Sequence, residues 1–319
     1  MRIRKNSISS ILALLFFAAI SYAQTDTTVA VEDTTVYRVL IPATETMATA
    51  WDYPRNPMID SLPDNPHLAA QIKLGFKIFT NTPAEANKIS GNHVACNNCH
   101  LNAGQKEKAM ALVGVAAAFP EYNKRAGRLI TLEDRIVECF MRSSNAAGKL
   151  SAGAGKDKSS DMIAAHANEV LALSSYITWL SEGYPVGKTI EWRGENVIPV
   201  DKQIPLDKLD KKRGEALYLE KCVTCHGKSG EGVEIGDKKA GPLWGSKSWN
   251  DGAGAARIYT LAGIIRYMMP YLDPGSLTDE EAQHLSAYIN SKPRPKYPYK
   301  DKDYLKEKIP PDAVYYKRK

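Results

Sequence analysis

"CNNCH" at residues 96–100 and "CVTCH" at 222–226 hold four of the five cysteines in this 319-residue chain. In each, two cysteines three positions apart are followed at once by a histidine. That spacing suits covalent attachment of a c-type haem: Cys96, Cys99, Cys222 and Cys225 would form thioethers to vinyl groups, and His100 and His226 would each supply one axial bond to iron. A redox C-x-x-C or a zinc ligand pair is the competing reading of one such motif. Two of them in a chain with a single further cysteine predict two covalently bound haem c groups.

The sequence around each motif repeats. "NPHLAAQIKLGFKIFTNT" precedes the first with a helical stripe of Leu68, Ile72, Phe76 and Ile78/Phe79. "LDKLDKKRGEALYLEKC" precedes the second, with Leu209, Gly214, Leu217 and Leu219. Each repeat closes on another helix: "SSDMIAAHANEVLALSSYITWLSEG" at 159–183, and "LTDEEAQHLSAYINSKPRP", where Thr278 and Glu281 make a capping box. Helix, haem loop, helices and closing helix is the pattern of a small cytochrome c domain, with the haem supplying much of the apolar core. The expected fold is all-α, with two cytochrome c-like domains in tandem over 61–183 and 209–296 and almost no strand. Residues 184–208 have three prolines and no helical period and read as a linker, packed over a surface by Trp192 and Ile204.

The ends carry other signals. "MRIRK" followed by the apolar run "ILALLFFAAI" and the small residues Ser21 and Ala23 reads as a cleaved secretory signal peptide over 1–23. The run is too short to span a bilayer, so the mature chain is expected in the periplasm with no membrane span. Residues 24–60 read as a flexible leader. The net charge of +6 falls to about +3 without Arg2, Arg4 and Lys5, too mild a balance to argue for nucleic acid. Residues 297–319 form a basic C-terminal tail, read as a solvated face.

A c-type haem also needs a sixth ligand or an open position. "RYMMPYL" places Met268 and Met269 before Pro270, some forty residues after His226. A thioether there raises the reduction potential, and Met269 is favoured with Met268 as competitor. For the first haem the candidates are Cys139, Met110, Met141 and His166. Cys139 follows His100 by 39 residues, close to the second-domain spacing. A helix starting at Thr131 puts Arg135, Cys139 and Ser143 at i, i+4 and i+8 on one face. The competing reading makes Cys139 a small buried hydrophobe beside Leu132, Ile136 and Phe140. An unpaired thiol in an exported protein is a liability unless it is used.

"GFKIFTNTP", "ACNNCHLNAGQ", "FPEYNKRAGRLITLEDRIVECFMRSSN", "WLSEGYPVG", "CHGKSGEG", "GPLWGSKSWNDGAGAAR" and "MMP" together resemble the dihaem thiosulfate dehydrogenases, some of which work mainly as tetrathionate reductases. The likeness covers roughly residues 62–296, and the "R-I-x-x-C-F-x-R-S" element is its specific part. The resemblance implies that His100 and Cys139 ligate the catalytic haem and that His226 ligates the electron-exit haem. It implies anion-binding roles for Arg125, Arg135 and Ser143. It further implies oxidative coupling of two thiosulfate ions to tetrathionate, or the reverse, with electrons passing from haem 1 through haem 2 to a small periplasmic partner such as a cytochrome. The alternative from another class is a dihaem electron carrier with no substrate pocket, which gives Arg125, Arg135 and a thiolate ligand no role.

Overall fold

The computed structural model describes residues 55–146, 163–187, 190, 192–235 and 238–317. The expected signal peptide, most of the expected leader and the start of the first closing helix lie outside the described residues. The first domain runs α1 (Pro66–Thr80), the single turns α2 (Thr82–Glu85) and α3 (Leu101–Gly104), the antiparallel hairpin β1 (Glu121–Asn123) and β2 (Arg128–Ile130), then α4 (Leu132–Arg142) and α5 (Asn168–Leu180). The second runs α6 (Lys211–Lys221), the turn α7 (Val223–His226), the hairpin β3 (Glu234–Ile235) and β4 (Lys238–Lys239), α8 (Ile258–Met268) and α9 (Asp279–Asn290). The expected all-α tandem architecture holds, and the two short hairpins are the only strands among the described residues.

Helix starts follow local chemistry. Asn65 caps α1 by accepting from the backbone N–H groups of His67 and Leu68, with Pro66 at the first helical position, where no N–H is needed. Thr131 and Asp134 exchange side chain-to-backbone bonds at 3.2 Å each, the capping box that starts α4. Thr278 and Glu281 do the same for α9. The first closing helix is shorter than the expected segment 159–183. It begins at Asn168, because Ala167 is extended and its N–H closes a turn onto the Ala164 carbonyl; Ile163 and Ala164 are buried ahead of the helix.

Each domain rests on one helix crossing, built the same way twice. A Cβ on Gly75 of α1 would lie 2.0 Å from the Ala172 carbonyl oxygen of α5 and 2.7 Å from the Tyr176 Cβ. A Cβ on Gly214 of α6 would lie 2.1 Å from the His284 carbonyl oxygen of α9 and 2.8 Å from the Tyr288 Cβ. Glycine thus lets first and last helices touch backbone to backbone, and a tyrosine four residues along closes the crossing. Ile72, Phe79, Phe140 and Tyr176 centre one core; Tyr218, Trp244, Leu285 and Tyr288 centre the other.

The connecting segments are docked. Trp192 donates to the Val113 carbonyl at 3.1 Å and stands edge-on to Tyr184. Ile198 is fully buried, and Gln283 of α9 pairs with the Ile204 N–H and the Lys202 carbonyl. The reading of 297–319 as a solvated face needs correction: most of its lysines face solvent, but Lys300 pairs with Asp251, and several of the tyrosines and acids are anchored. Asp303 is held by Arg142, Asp312 by Arg257, and Tyr315 donates to the Asn290 carbonyl. Among the described residues no helix is long and apolar enough to cross a membrane.

Overpacking a tight contact costs about 1–3 kcal/mol. Gly75→Ala and Gly214→Ala should each lower holoprotein stability by at least that much, read as a drop in thermal midpoint. Unchanged midpoints in both variants would show that the crossings can widen freely.

Candidate functional site

The first motif is folded by its own intervening residues. Asn98 Oδ1 accepts from the Ala95 N–H and Asn97 Oδ1 from the Ala103 N–H, both at 2.8 Å. Thr82 Oγ1 accepts from the Cys96 N–H at 3.0 Å. The His100 Nδ1 sits 2.6 Å from the Met110 carbonyl oxygen, as an N–H donor would. That bond fixes the tautomer and leaves Nε2 as the free lone pair, the usual arrangement of a metal-binding histidine. Burial, offset in part by the Met110 carbonyl, depresses the His100 proton affinity, and the Arg135 charge depresses it further. His100 is therefore neutral and able to ligate.

Helix α4 presents two faces. Leu132, Ile136, Val137, Phe140 and Met141 are buried in the core. Arg135, Cys139 and Ser143 lie on the other side, with Arg135 46% exposed and Cys139 half-buried. Cys139 is thus outside the core stripe. Burial pushes the thiols of Cys96 and Cys99 up, to about 12 and about 11, and charge on Cys139 adds to both. Charge on Cys139 is also the foremost influence holding the Arg135 guanidinium above its ordinary value. His100, Arg135, Cys139 and the first cysteine pair therefore share one electrostatic neighbourhood. Of the other ligand candidates, Met141 is fully buried in the core, His166 is exposed in a turn, and Met110 packs beside Met268. Arg135 pairs with Glu138 at 3.1 Å.

The second motif follows the same rule. The His226 Nδ1 lies 3.1 Å from the Gly241 carbonyl oxygen, and burial keeps this ring neutral too. Tyr218 donates to the Gly227 carbonyl at 2.6 Å, pinning the turn after the motif. Met268 is fully buried with Leu101 and Ala109 of the first domain; Met269, half-buried, borders that cluster and also the second-domain cluster that borders Cys222.

Arg125 and Ser143 stand elsewhere in the hydrogen-bond pattern. Arg125 donates to the Gly252 carbonyl at 3.0 Å and lies against Tyr304 of the tail. Ser143 caps α4: its N–H donates to the Cys139 carbonyl at 2.7 Å, and its carbonyl accepts from Asn92 Nδ2 at 2.7 Å. The sequence reading missed the seam these residues border. Asn92 Nδ2 also donates to the Ser248 carbonyl; Asn250 donates through its backbone to the Arg142 carbonyl and through Nδ2 to the Met141 carbonyl; Asn98 Nδ2 reaches the Lys239 carbonyl. Isolated asparagines carry no periodic signal that could have flagged them.

The residues present fit a haem in each domain. Among the described residues no three His, Cys, Asp or Glu converge as a zinc centre requires. The buried Trp249 Nε1 and Arg294 Nη1, with the guanidinium 4.9 Å from the indole centroid, find no acceptor among the described residues. Buried donors are almost always paired, and a cofactor carboxylate is the acceptor such a pair would take.

Comparison with known proteins agrees. Residues 86–186 match the family described as "SoxA/TsdA, cytochrome c domain", and residues 210–289 match "Cytochrome C oxidase, cbb3-type, subunit III". Two cytochrome c domains imply haem c cofactors. The thiosulfate dehydrogenase of Allochromatium vinosum is 37% identical over 240 residues, 73% of this chain and 82% of that protein. The thiosulfate dehydrogenase of Psychrobacter arcticus is 35% identical over 255 residues, 79% of this chain and 72% of that one. The solved thiosulfate dehydrogenase (TsdBA) from Marichromatium purpuratum superposes with a TM-score of 0.65 at 36% identity over 75% of this chain. This chain spans 49% of that one. The chain belongs to the thiosulfate dehydrogenase family, oxidoreductases acting on sulfur compounds, and carries one C-x-x-C-H motif in each of two cytochrome c domains.

Proposed function

We propose that this protein is a periplasmic dihaem enzyme that couples two thiosulfate ions to tetrathionate, or runs the reverse, at the face of α4 that carries Arg135 and Cys139. The observation that carries the reading is the electrostatic grouping of Cys139 and Arg135 with His100, on a helix whose opposite face is committed to the core. His100 and Cys139 would ligate the first haem, His226 and Met269 the second, with Cys96, Cys99, Cys222 and Cys225 as the attachment points. The haems, when bound, supply the one-electron steps that carry two electrons per tetrathionate to or from a small periplasmic partner such as a cytochrome.

The chain's own residues handle charge and sulfur. Two thiosulfate dianions repel, so a fixed cation must hold at least one. Arg135 keeps its charge at any working pH, and its planar fork offers two hydrogen bonds to sulfonate oxygens. The Cys139 thiolate can bond to the terminal sulfur of one thiosulfate, releasing two electrons and leaving an S-thiosulfonate on the cysteine. Attack by the second thiosulfate then forms the central sulfur–sulfur bond of tetrathionate and returns the thiolate, as in thiol–disulfide exchange. Arg125 and Ser143 border the same helix end and would hold anion or helix in place.

Three outcomes are expected. Cys139→Ala should leave two haem additions in the intact mass, since the thioethers use the other four cysteines, while the first haem loses its low-spin thiolate signature and activity collapses in both directions. Full activity with the signature intact would return Cys139 to a packing role. Arg135→Ala should cut thiosulfate turnover by roughly ten- to a hundredfold, the loss of one charge-assisted hydrogen bond worth about 1.5–3 kcal/mol, with both haem spectra preserved. Unchanged kinetics there would favour a simple electron carrier. Met269→Gly should abolish the thioether charge-transfer band of one haem and lower its potential; if Met268→Gly does so and Met269→Gly does not, the neighbour is the ligand.

A further inference from the structure

Asp303 lies beyond both segments matched to known domains, in the tail that crosses back over the first domain. Arg142, the last residue of α4 and three positions past Cys139, donates to its two carboxylate oxygens at 2.8 and 2.7 Å. This is a bidentate fork between side chains only 7% and 6% exposed. Tyr316 donates to the same carboxylate at 2.5 Å, and the Tyr297 ring lies 4.1 Å from the guanidinium. Burial works against the Arg142 charge, and the Asp303 carboxylate overrides it, so the guanidinium is held above its ordinary value.

The same turn is gripped from the other side. Arg142 Nη1 donates to the Gly252 carbonyl at 3.3 Å, and Asn250 takes the Arg142 and Met141 carbonyls at 3.1 and 2.9 Å. Inside the turn, the Cys139 carbonyl accepts from both Ser143 and Ser144 at 2.7 and 3.2 Å. A shift of the helix end is therefore passed by backbone hydrogen bonds to the residue that carries the thiol. Without Asp303, Arg142 would be a buried charge with no counter-ion, and turning it toward water would pull the last turn with it.

We propose that Asp303 is a positioning residue for the active-site thiol: through Arg142, the C-terminal segment clamps the final turn of α4 and sets how Cys139 meets the bound group. This rests on the reading of Cys139 as haem ligand and sulfur carrier given above.

The test compares Asp303→Asn, Asp303→Glu, Tyr316→Phe and Cys139→Ala as holoproteins, by electron paramagnetic resonance, by potentiometric titration and by turnover. Asp303→Asn should keep both haems by mass and leave the second haem's spectrum unchanged. It should convert part of the first haem's low-spin thiolate signal to high spin and slow thiosulfate turnover at least tenfold. Asp303→Glu, which keeps the carboxylate, should restore most of the signal. Should Asp303→Asn fail to fold, Tyr316→Phe removes only one bond to the carboxylate and should give a smaller shift in the same direction. A wild-type signal and potential in Asp303→Asn, or in Tyr316→Phe where that variant stands in, overturns the proposal. If Cys139→Ala still loses the signal in that case, the reading of Cys139 survives. A signal that persists in Cys139→Ala as well overturns both.

Discussion

Two helices can meet at backbone distance only where one of them has no Cβ. Gly75 and Gly214 provide that once per domain, each against a carbonyl of the closing helix and a tyrosine four residues later. Everything that matters chemically hangs from these crossings. Each first helix leads into a C-x-x-C-H turn, and the neighbouring tyrosines reach the loops around those turns: Tyr176 donates to the Ala103 carbonyl and Tyr218 to the Gly227 carbonyl. The crossings therefore place both histidines, whose Nδ1 atoms are then occupied by carbonyls of Met110 and Gly241.

The domains share this frame and differ in the element proposed to supply the second iron ligand. In the proposed ligation the second uses the end of α8, where Met268 and Met269 precede Pro270 at the contact with the first domain and Met269 also borders the second-domain cluster. The first brings a whole helix, α4, with an apolar face spent on the core and a polar face left over. A thioether is neutral and a thiolate is anionic, so with the proposed ligands the two domains would favour different iron oxidation states when loaded. Axial identity can move haem potentials over about 0.8 V. On that proposal one scaffold would serve an electron-transfer role and a sulfur-handling role through a change of the ligand-bearing element.

Much of this was readable in the sequence, because the governing signals are local. The C-x-x-C-H motifs, the capping boxes at Thr131 and Thr278, and the i, i+4, i+8 placement of Arg135, Cys139 and Ser143 all depend on residues close in the chain. Gly214 in the helix before the second motif was visible too, although its partner His284 was not. What escaped was long-range and polar. Asn92 meets Ser248 across 156 positions, and Arg142 meets Asp303 across 161. No periodicity links such residues, and nothing in "YKDKDY" sets Asp303 apart from Asp301 and the lysines beside them. The lysine-rich composition of the tail matches its outer surface except at Lys300, which pairs with Asp251, and gives no hint of the acids beneath.

The asparagine contacts and the docked tail also bear on how the molecule comes apart. Each hydrogen bond across the seam contributes about 0.5–1.5 kcal/mol, and several together reach a few kcal/mol, against a typical total stability of about 5–15 kcal/mol for a folded domain. Because most of these bonds use main-chain carbonyls of the neighbouring domain, neither half can loosen its loops without stripping partners from the other. The two cytochrome modules should then melt in a single cooperative transition, and the fragment left by cutting at the linker should be less stable than a self-contained cytochrome c of the same length.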